Sequence, residues 1–531
     1  MLSMSAALAR ALTIDPYEGW QRGGTVANGV IFFLAMLAGS VVLDGLVRPR
    51  ASGFRQWQGL TLLVLLVTAL FGVMLAVSGS ALLAATLTVA FMGLLTIASN
   101  AKYAMLGEPL LFSDLALIAA LFRHPRFYLT AVSAAQRWMF MIAAPLFLLA
   151  LAALFAPRAA PHLIGLAVFA TSVAALVLLV SGRPFRSVAL IPDIESDLAR
   201  HGLPATLLIY WLRWRVTRDP GMCPEPVSAR AGEPSASAMQ PEIIVIVQCE
   251  SFADPVALTG EHRHALPGLL QAQASAWQWG DLAVSGFGAY TMRTEYGVLF
   301  GRSEEALGFR RYDPFLTARG ETSYALPARL RPRGYHNLFV HPHDMRFYGR
   351  DRLMPAIGFD RLIGEDGIAP LPSRTGRYVD DRTLGAAMAT LIDEAVGPTL
   401  IYAVTMENHG PWDRDVPTGS LGGVDDYLRH LGNSDAMLTS LTDRLSSCGR
   451  SALLVFFGDH RPSIPGVTEP TGGRHTPYVM MRFADDGHIV AGDNRRADLS
   501  PDELHHAVLA CVGESLLPDT AMAGDRKTAT R

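Results

Sequence analysis

The sequence predicts an N-terminal α-helical membrane domain of five transmembrane helices, followed by an α/β domain built on a central, mostly parallel sheet. Three observations predict it. The mean hydropathy of the 531-residue chain, +0.25, is too apolar for an ordinary soluble enzyme. The long apolar runs are concentrated before about residue 185. Beyond Glu242, short apolar runs rich in β-branched residues alternate with charged loops and helix-like segments.

A helix needs about 20 mostly apolar residues to cross a bilayer, because its backbone must satisfy its own hydrogen bonds there. Five stretches qualify: Thr25 to Leu46, Leu60 to Val77, Ala81 to Ser99, Trp138 to Ala156 and Leu163 to Val180. All are free of interior charge except for Asp44, near the end of the first. The first begins too far into the chain, and is too long, for a cleaved signal peptide, so it is expected to remain as an anchor behind a short polar tail. Ser78, Gly79 and Ser80 leave room only for a tight turn, which makes the second and third spans a helical hairpin. The segment N-A-K-Y-A-M-L-G-E-P-L-L-F-S-D from Asn100 sets Lys102, Glu108 and Asp114 beside the bilayer. It reads either as an interfacial loop or as a surface that handles lipid headgroups.

The membrane domain is expected over residues 1–185 and a juxtamembrane segment and linker over 186–241. In that connection, A-T-L-L-I-Y-W-L-R-W-R from Ala205 has an aromatic and basic face suited to the interface. The Pro-, Gly-, Ser- and Ala-rich stretch from Thr217 has no core of its own. The catalytic domain is expected over 242–517, with a disordered tail over 518–531. Net charge is −3 with no long run of like charge, so no nucleic-acid partner is expected. Cys223, Cys249, Cys448 and Cys511 contain no C-x-x-C, so neither a disulfide framework nor a zinc cluster is indicated.

Within the second half, the runs beginning at Ile243, Leu338, Leu400 and Leu453 read as strands, and Asp425 to Leu445 as a helix. Continuous apolar strands suggest a sheet buried on both faces, and such sheets bind ligands outside the carboxyl ends of their strands. Polar motifs fall at those ends: Q-C-E-S from Gln248, H-P-H-D-M-R-F-Y-G-R from His341, E-N-H-G-P-W from Glu407 and G-D-H-R-P from Gly458. T-M-R-T-E from Thr291 follows a glycine-containing loop and opens a helix-like stretch.

Taken singly, each residue has a structural reading beside a functional one. Glu250 is a helix cap or a metal ligand. Asp459 and His460 form a turn pair or a ligand pair. Thr291 is an N-cap, or a hydroxyl beside backbone N–H groups that favour phosphate. Together they supply carboxylates, an imidazole and a hydroxyl, a donor set suited to Mn²⁺, Mg²⁺ or Zn²⁺, and coordination would make the threonine a competent nucleophile. Arg350 is a natural bidentate partner for phosphate. His341 and His409 are candidates for headgroup binding and for proton transfer to a leaving oxygen.

With these motifs in place, the chain resembles the lipoteichoic acid synthase and phosphoglycerol transferase family, the sulfatase-like branch of the alkaline phosphatase superfamily. The resemblance covers the five spans, the N-x-K and G-E-P-L-x-F-S-D loop, and the motifs of the second half in order. It implies a sulfatase-like catalytic domain in which Glu250, Thr291, Asp459 and His460 bind one divalent cation, most often Mn²⁺. Thr291 is then also the nucleophile, and His341, Arg350 and His409 hold the phosphoglycerol group, with Tyr348 where the family's lipoteichoic acid synthases have tryptophan. Their nucleophile lies in G-K-T-S-D, whereas this chain has A-Y-T-M-R. No C-x-P-x-R segment is present to make the formylglycine of true sulfatases.

The expected activity is therefore transfer of the glycerol phosphate headgroup of phosphatidylglycerol, by way of a covalent intermediate on Thr291, to a cell-envelope glycan such as a periplasmic glucan or a teichoic-acid-like polymer. A phosphoethanolamine transferase, a metal-dependent phosphodiesterase, and a non-catalytic lipid- or glycan-binding envelope protein are the alternatives. The basic residues Arg48, Arg50 and Arg55 after the first span, with Lys102, Arg123 and Arg126 after the third, favour a cytoplasmic C-terminal half. The resemblance implies the opposite, a multi-pass protein of the cytoplasmic (inner) membrane with its catalytic domain on the periplasmic or extracellular side, and that is the placement expected.

Overall fold

The computed structural model describes residues 16–50, 53, 55–114, 159–223, 240–368, 377–412, 422–464, 466–470 and 472–513, with isolated positions between 141 and 152. The chain divides into two compact units: Met1–Ala104 with Glu108–Val216, and Met105–Gly107 with Thr217–Arg531.

In the first unit, four described helices are long and apolar enough to cross a bilayer. They are Ala27–Gly45 within α1 (Pro16–Gly45), α2 (Trp57–Ser78), α3 (Ala81–Leu106) and α4 (Ala159–Ser181). These are the first, second, third and fifth expected spans. The fourth, Trp138 to Ala156, falls outside the described residues apart from isolated positions, as do most of the expected linker and the C-terminal tail. The hairpin between α2 and α3 turns on Gly79, whose φ of 67° is left-handed and whose N–H donates to the Leu75 carbonyl at 2.8 Å. Helices α2 and α4 approach closely at two glycines. A Cβ on Gly72 would lie 2.6 Å from the Phe169 nitrogen, and one on Gly165 would lie 2.3 Å from the Ala76 nitrogen. Small residues allow this backbone approach where lipid offers no hydrophobic gain from association.

Two of the unit's shorter helices are α5 (Ile194–His201) and α6 (Leu203–Val216). They explain Asp44, the one charge in the first span. Its carboxylate pairs with Arg55 Nε at 3.2 Å and accepts from the Leu203 N–H at 2.8 Å. The Asn100 loop is held by its own charges. Lys102 pairs with Asp114, lies 3.6 Å from Glu108 and donates to the Pro109 carbonyl at 2.9 Å.

The second unit is built on an eight-stranded sheet in the order β4-β3-β5-β1-β6-β7-β2-β8. The strands are β1 (Ile243–Cys249), β2 (Gln278–Ala283), β3 (His336–Val340), β4 (Arg361–Ile363), β5 (Thr399–Val404), β6 (Ala452–Gly458), β7 (His475–Phe483) and β8 (Arg495–Arg496). β4, β3, β5, β1 and β6 run parallel, as the continuous apolar runs predicted. β7 is antiparallel to β6 and to β2, and β8 runs parallel to β2. Strand β1 sits mid-sheet with all seven residues buried. Its alternation divides the core: Ile244 and Ile246 join one apolar cluster, and Ile243, Val245 and Val247 the other. The helices used below are α7 (Pro267–Ser275), α8 (Thr291–Phe300), α9 (Arg350–Ala356), α10 (Asp381–Glu394), α11 (Gly422–Ser447) and α12 (Pro501–Cys511).

Candidate active site

The register of β1 on β6 pairs Cys249 with Gly458. The next residue of β1 is therefore level with the residues that follow β6, which brings Glu250 to Asp459 and His460. Their ligand atoms lie within 4.8 Å of one another, and all three residues are buried. The turn after β6 crosses the turn after β1 so closely that a Cβ on Gly458 would lie 1.9 Å from the Phe252 carbonyl oxygen. Backbone hydrogen bonds fix one side of the Asp459 carboxylate: Oδ1 accepts from the Ser251 N–H at 2.8 Å and from the His460 N–H at 2.9 Å. Ser251 adopts a left-handed φ of 52° there.

Thr291 enters from the first turn of α8, just after Tyr290 in the left-handed conformation (φ 76°). Its Oγ1 lies 3.4 Å from Glu250 Oε2 and 3.5 Å from His460 Nε2. One turn later, Thr294 ties the helix to the turn after β6, its hydroxyl donating to the Asp459 carbonyl at 2.7 Å. From below, Gln248 Nε2 reaches the Thr291 carbonyl at 3.4 Å, and Gln248 Oε1 accepts from the Tyr402 hydroxyl at 2.9 Å.

The charges at this centre call for a cation. Burial disfavours the Glu250 carboxylate, but hydrogen bonding and attraction from His460 outweigh it and hold the group at about 2. Burial and the facing Glu250 push Asp459 up to about 7. For His460, burial opposes protonation, yet Asp459 and Glu250 push it up to about 9. Without a metal, protons stand in for positive charge between two carboxylates. The second Asp459 oxygen, Oδ2, is buried without a hydrogen bond and faces only the His460 Nε2 at 3.5 Å among the described residues, a position open to a further positive ligand. Two carboxylates, one imidazole and a hydroxyl fit a single hard or borderline divalent cation, and no thiolate intrudes.

A second group of predicted residues meets at the carboxyl ends of β3 and β5. His341 is buried, and its Nδ1 lies 2.9 Å from the Val404 carbonyl, which makes Nδ1 the protonated nitrogen. Nε2 is left to accept from Arg350 Nη1 at 3.2 Å. Burial and the Arg350 guanidinium lower the His341 pKa well below the usual histidine range, so the ring is neutral. Tyr348 is strained at a φ of 58°, and the Arg350 guanidinium lies over its ring at 5.2 Å. His409 lies beyond, with Nδ1 2.8 Å from the Gly410 carbonyl and its ring 6.0 Å from that of Tyr378.

In one respect the structure corrects the reading of Arg350 as an open fork for phosphate. Nε donates to Glu295 Oε1 at 3.1 Å and Nη2 donates to Glu295 Oε2, so the bidentate edge is already engaged. Both side chains are essentially inaccessible, at 1% and 0%. Glu295 lies four residues after Thr291 on α8, and sequence reasoning passed it over although T-M-R-T-E contains it. A glutamate i+4 from a helix-opening threonine sits on the same face, and that spacing was the available signal. His343, lowered to about 4 chiefly by burial, and Tyr378 also escaped notice. Their rings stand 5.8 Å apart.

Comparison with known proteins places this site in context. A sulfatase family model matches residues 242–514. The chain is 29% identical over 471 residues to the capsular polysaccharide biosynthesis protein RkpI of Rhizobium meliloti (strain 1021), covering 83% of this chain and 85% of that protein. It is 24% identical over 176 residues to phosphoglycerol transferase I of Xanthomonas axonopodis pv. citri (strain 306), covering 30% of this chain and 24% of that protein. In fold it is similar to the integral membrane lipooligosaccharide phosphoethanolamine transferase A of Neisseria meningitidis, with a TM-score of 0.52, 13% identity, and coverage of 91% of this chain and 95% of that one.

Proposed function

The chain belongs to the sulfatase family, and from that premise we propose that it is a membrane-bound phosphotransferase that moves the glycerol phosphate headgroup of phosphatidylglycerol to a cell-envelope glycan. The observation that carries the reading is the convergence of Thr291 Oγ1 on Glu250 and His460, with Asp459 completing a buried set of donors. A threonine at the nucleophile position, in a chain without C-x-P-x-R, suits phosphoryl transfer and not formylglycine chemistry. The glycan acceptor is supported by the similarity to a capsular polysaccharide biosynthesis protein, and the phosphoglycerol donor by the similarity to a phosphoglycerol transferase.

Glu250, Thr291, Asp459 and His460 would hold one divalent cation, Mn²⁺ by the family resemblance. When bound, such an ion withdraws charge from phosphoryl oxygens and lowers the pKa of a hydroxyl. The Thr291 hydroxyl gives its proton to water as its oxygen attacks phosphorus, the bond to the diacylglycerol oxygen breaks as that oxygen takes a proton from His409, and water returns a proton to His409. The Thr291 phosphodiester then loses its glycerol phosphate to an acceptor hydroxyl, which gives up its proton and restores the threonine. Arg350, held on Glu295, presents a fixed cation to the transferring group, and electrostatic stabilisation of that kind dominates phosphoryl transfer. The apolar unit keeps the enzyme at its lipid donor, raising effective concentration. We place the catalytic unit on the outer side of the cytoplasmic membrane, where glycans are decorated.

The test is a full-length preparation in detergent, given phosphatidylglycerol labelled in the headgroup, Mn²⁺ and candidate glucans. Diacylglycerol release with label on the glucan is expected. Free glycerol phosphate as the sole product would mean a phosphodiesterase, and label taken only from phosphatidylethanolamine would mean a phosphoethanolamine transferase. Thr291→Ala should abolish transfer; full complementation by that variant in cells would identify a non-catalytic binding protein. For the placement, a phosphatase reporter fused after Arg531 should be active, whereas a reporter active only in the cytoplasm overturns it.

A further inference from the structure

A cleft of about 540 Å³ lies on the face of the sheet opposite α8 and reaches the end of the strands from which Glu250, Asp459 and His460 emerge. Strand β7 explains its position. The register pairs Tyr478 with Phe457 of β6, and the Thr476 hydroxyl donates to the Gly458 carbonyl at 2.7 Å. β7 therefore starts level with the turn after β6, and its first residue, His475, lines the cleft together with Arg461, the residue that follows His460. Arg461 Nη1 donates to the Gly473 carbonyl at 2.6 Å, which ties that turn to the entry of β7. Ala253 and Asp254, from the turn after Glu250, complete this end.

From there the cleft follows one face of β7 and β2. Pro477 pairs with Asp281 and Val479 with Trp279, and alternation puts all four on the face that carries the Val245 and Val247 cluster. Leu269 and Leu270 of α7 close the other side. Trp279 is held at its edge, Nε1 donating to Asn494 Oδ1 at 2.9 Å, and the Arg496 guanidinium lies over its ring at 5.3 Å.

The chemistry of the lining is mixed and balanced. Two acids, Asp254 and Asp281, face two arginines, Arg461 and Arg496, so their formal charges cancel. Asp281 and Arg496 stand 3.6 Å apart, 48% and 62% exposed, a loose pair whose oxygens and N–H groups remain open to a ligand. Between the charges the walls are aliphatic and indole. A hexose unit has the same mixture, with apolar C–H faces and a rim of hydroxyls that donate to carboxylates and accept from guanidiniums. An acyl chain would desolvate four charged groups without pairing them, and a phosphate would meet as many acids as arginines. The volume falls in the range of about 300–1,000 Å³ usual for small-molecule sites.

We infer that this cleft binds uncharged sugar units of the acceptor glycan. The identity of that glycan as an acceptor rests on the transferase reading; the affinity of the cleft for neutral sugar does not. A glycan lying along β2 and β7 has one end at the turns that carry Glu250 and His460.

The experiment is calorimetry on the full-length protein in a detergent without a sugar headgroup, with EDTA present so that no turnover occurs. The probes are three neutral oligosaccharides, built of glucose, galactose or mannose, and a carboxylate-bearing oligogalacturonide. At least one neutral probe should bind, more tightly than the anionic one, and its affinity should not change as salt rises. Trp279→Ala should weaken that binding about tenfold. Leu270→Glu should weaken it as much; Leu270 is 55% exposed, so this variant decides the matter if Trp279→Ala does not fold. Binding of no neutral probe, tighter binding of the anionic probe, or unchanged affinity in Leu270→Glu overturns the inference. Diacylglycerol release from phosphatidylglycerol by the native protein with Mn²⁺ is measured separately. Its absence would remove the transferase reading, while calorimetry would still decide whether the cleft takes sugar.

Discussion

Replacing Glu295 by glutamine tests the connection between the helix that opens at Thr291 and the buried Arg350. The substitution keeps the side chain's shape and hydrogen-bonding reach but removes the charge that faces Arg350 across two hydrogen bonds. Both partners are buried, so the guanidinium is left in a low-dielectric interior beside a neutral imidazole. Breaking one side of a buried ion pair costs about 3–5 kcal/mol. At about 2–4 °C per kcal/mol for a domain of this size class, the catalytic unit should melt roughly 6–20 °C lower. The assay is thermal unfolding of the full-length protein in detergent for Glu295→Gln, Arg350→Met and the double variant. The double variant should fall short of the sum of the two single losses by about 2–3 kcal/mol, because an uncharged pair is tolerated where a lone charge is not. Transfer activity should not recover, since Arg350 is absent. A single variant that melts within 2 °C (about 1 kcal/mol) of the native protein, or strictly additive effects, would refute the reasoning.

Metal uptake should be steeply pH-dependent. In the metal-free protein His460 keeps its proton up to about pH 9 and Asp459 up to about 7, and a cation must displace both. Mn²⁺ affinity should therefore strengthen as pH rises through that window and weaken in acid, with protons released on binding near neutrality, as calorimetry in buffers of different ionisation enthalpy would measure. The metal-free fold responds in the opposite direction. The raised His460 pKa contributes stability below its unfolded value of about 6.5, and that contribution is lost as pH rises through about 9. Chelation by EDTA should abolish transfer, and Mn²⁺ should restore it. Gly458→Ala should destabilise the unit and weaken metal binding together, because its Cβ would strike the Phe252 carbonyl oxygen, a backbone atom that cannot rotate away; paired melting and Mn²⁺ titration check this.

Much of the centre was legible in the sequence because strand ends are legible. The runs ending at Cys249 and Gly458 are unbroken and apolar, so the polar residues after them had to emerge at one edge. Thr291 could be placed at a helix start because a glycine-containing loop precedes it. Pairing partners beyond the parallel core were harder to see. β7 and β2 join antiparallel to one another, and β8 is only two residues long. Glu295 was missed for a related reason: its significance lies in a partner 55 positions away in sequence. No local pattern announces which of several buried arginines a helix carboxylate will meet. Tyr348 shows the same limit, since its positive φ comes from the tight turn into α9 and not from any preference of tyrosine.

The pairing of Cys249 with Gly458 has a consequence for how such proteins diversify. The Glu250 and Asp459 carboxylates follow two neighbouring strands in mid-sheet, where a residue change disturbs the packing on both faces. Surface loops elsewhere in the unit tolerate exchange more readily. Change at such loops leaves the constellation at the strand ends untouched, whereas change at the strand ends alters site and sheet packing at once.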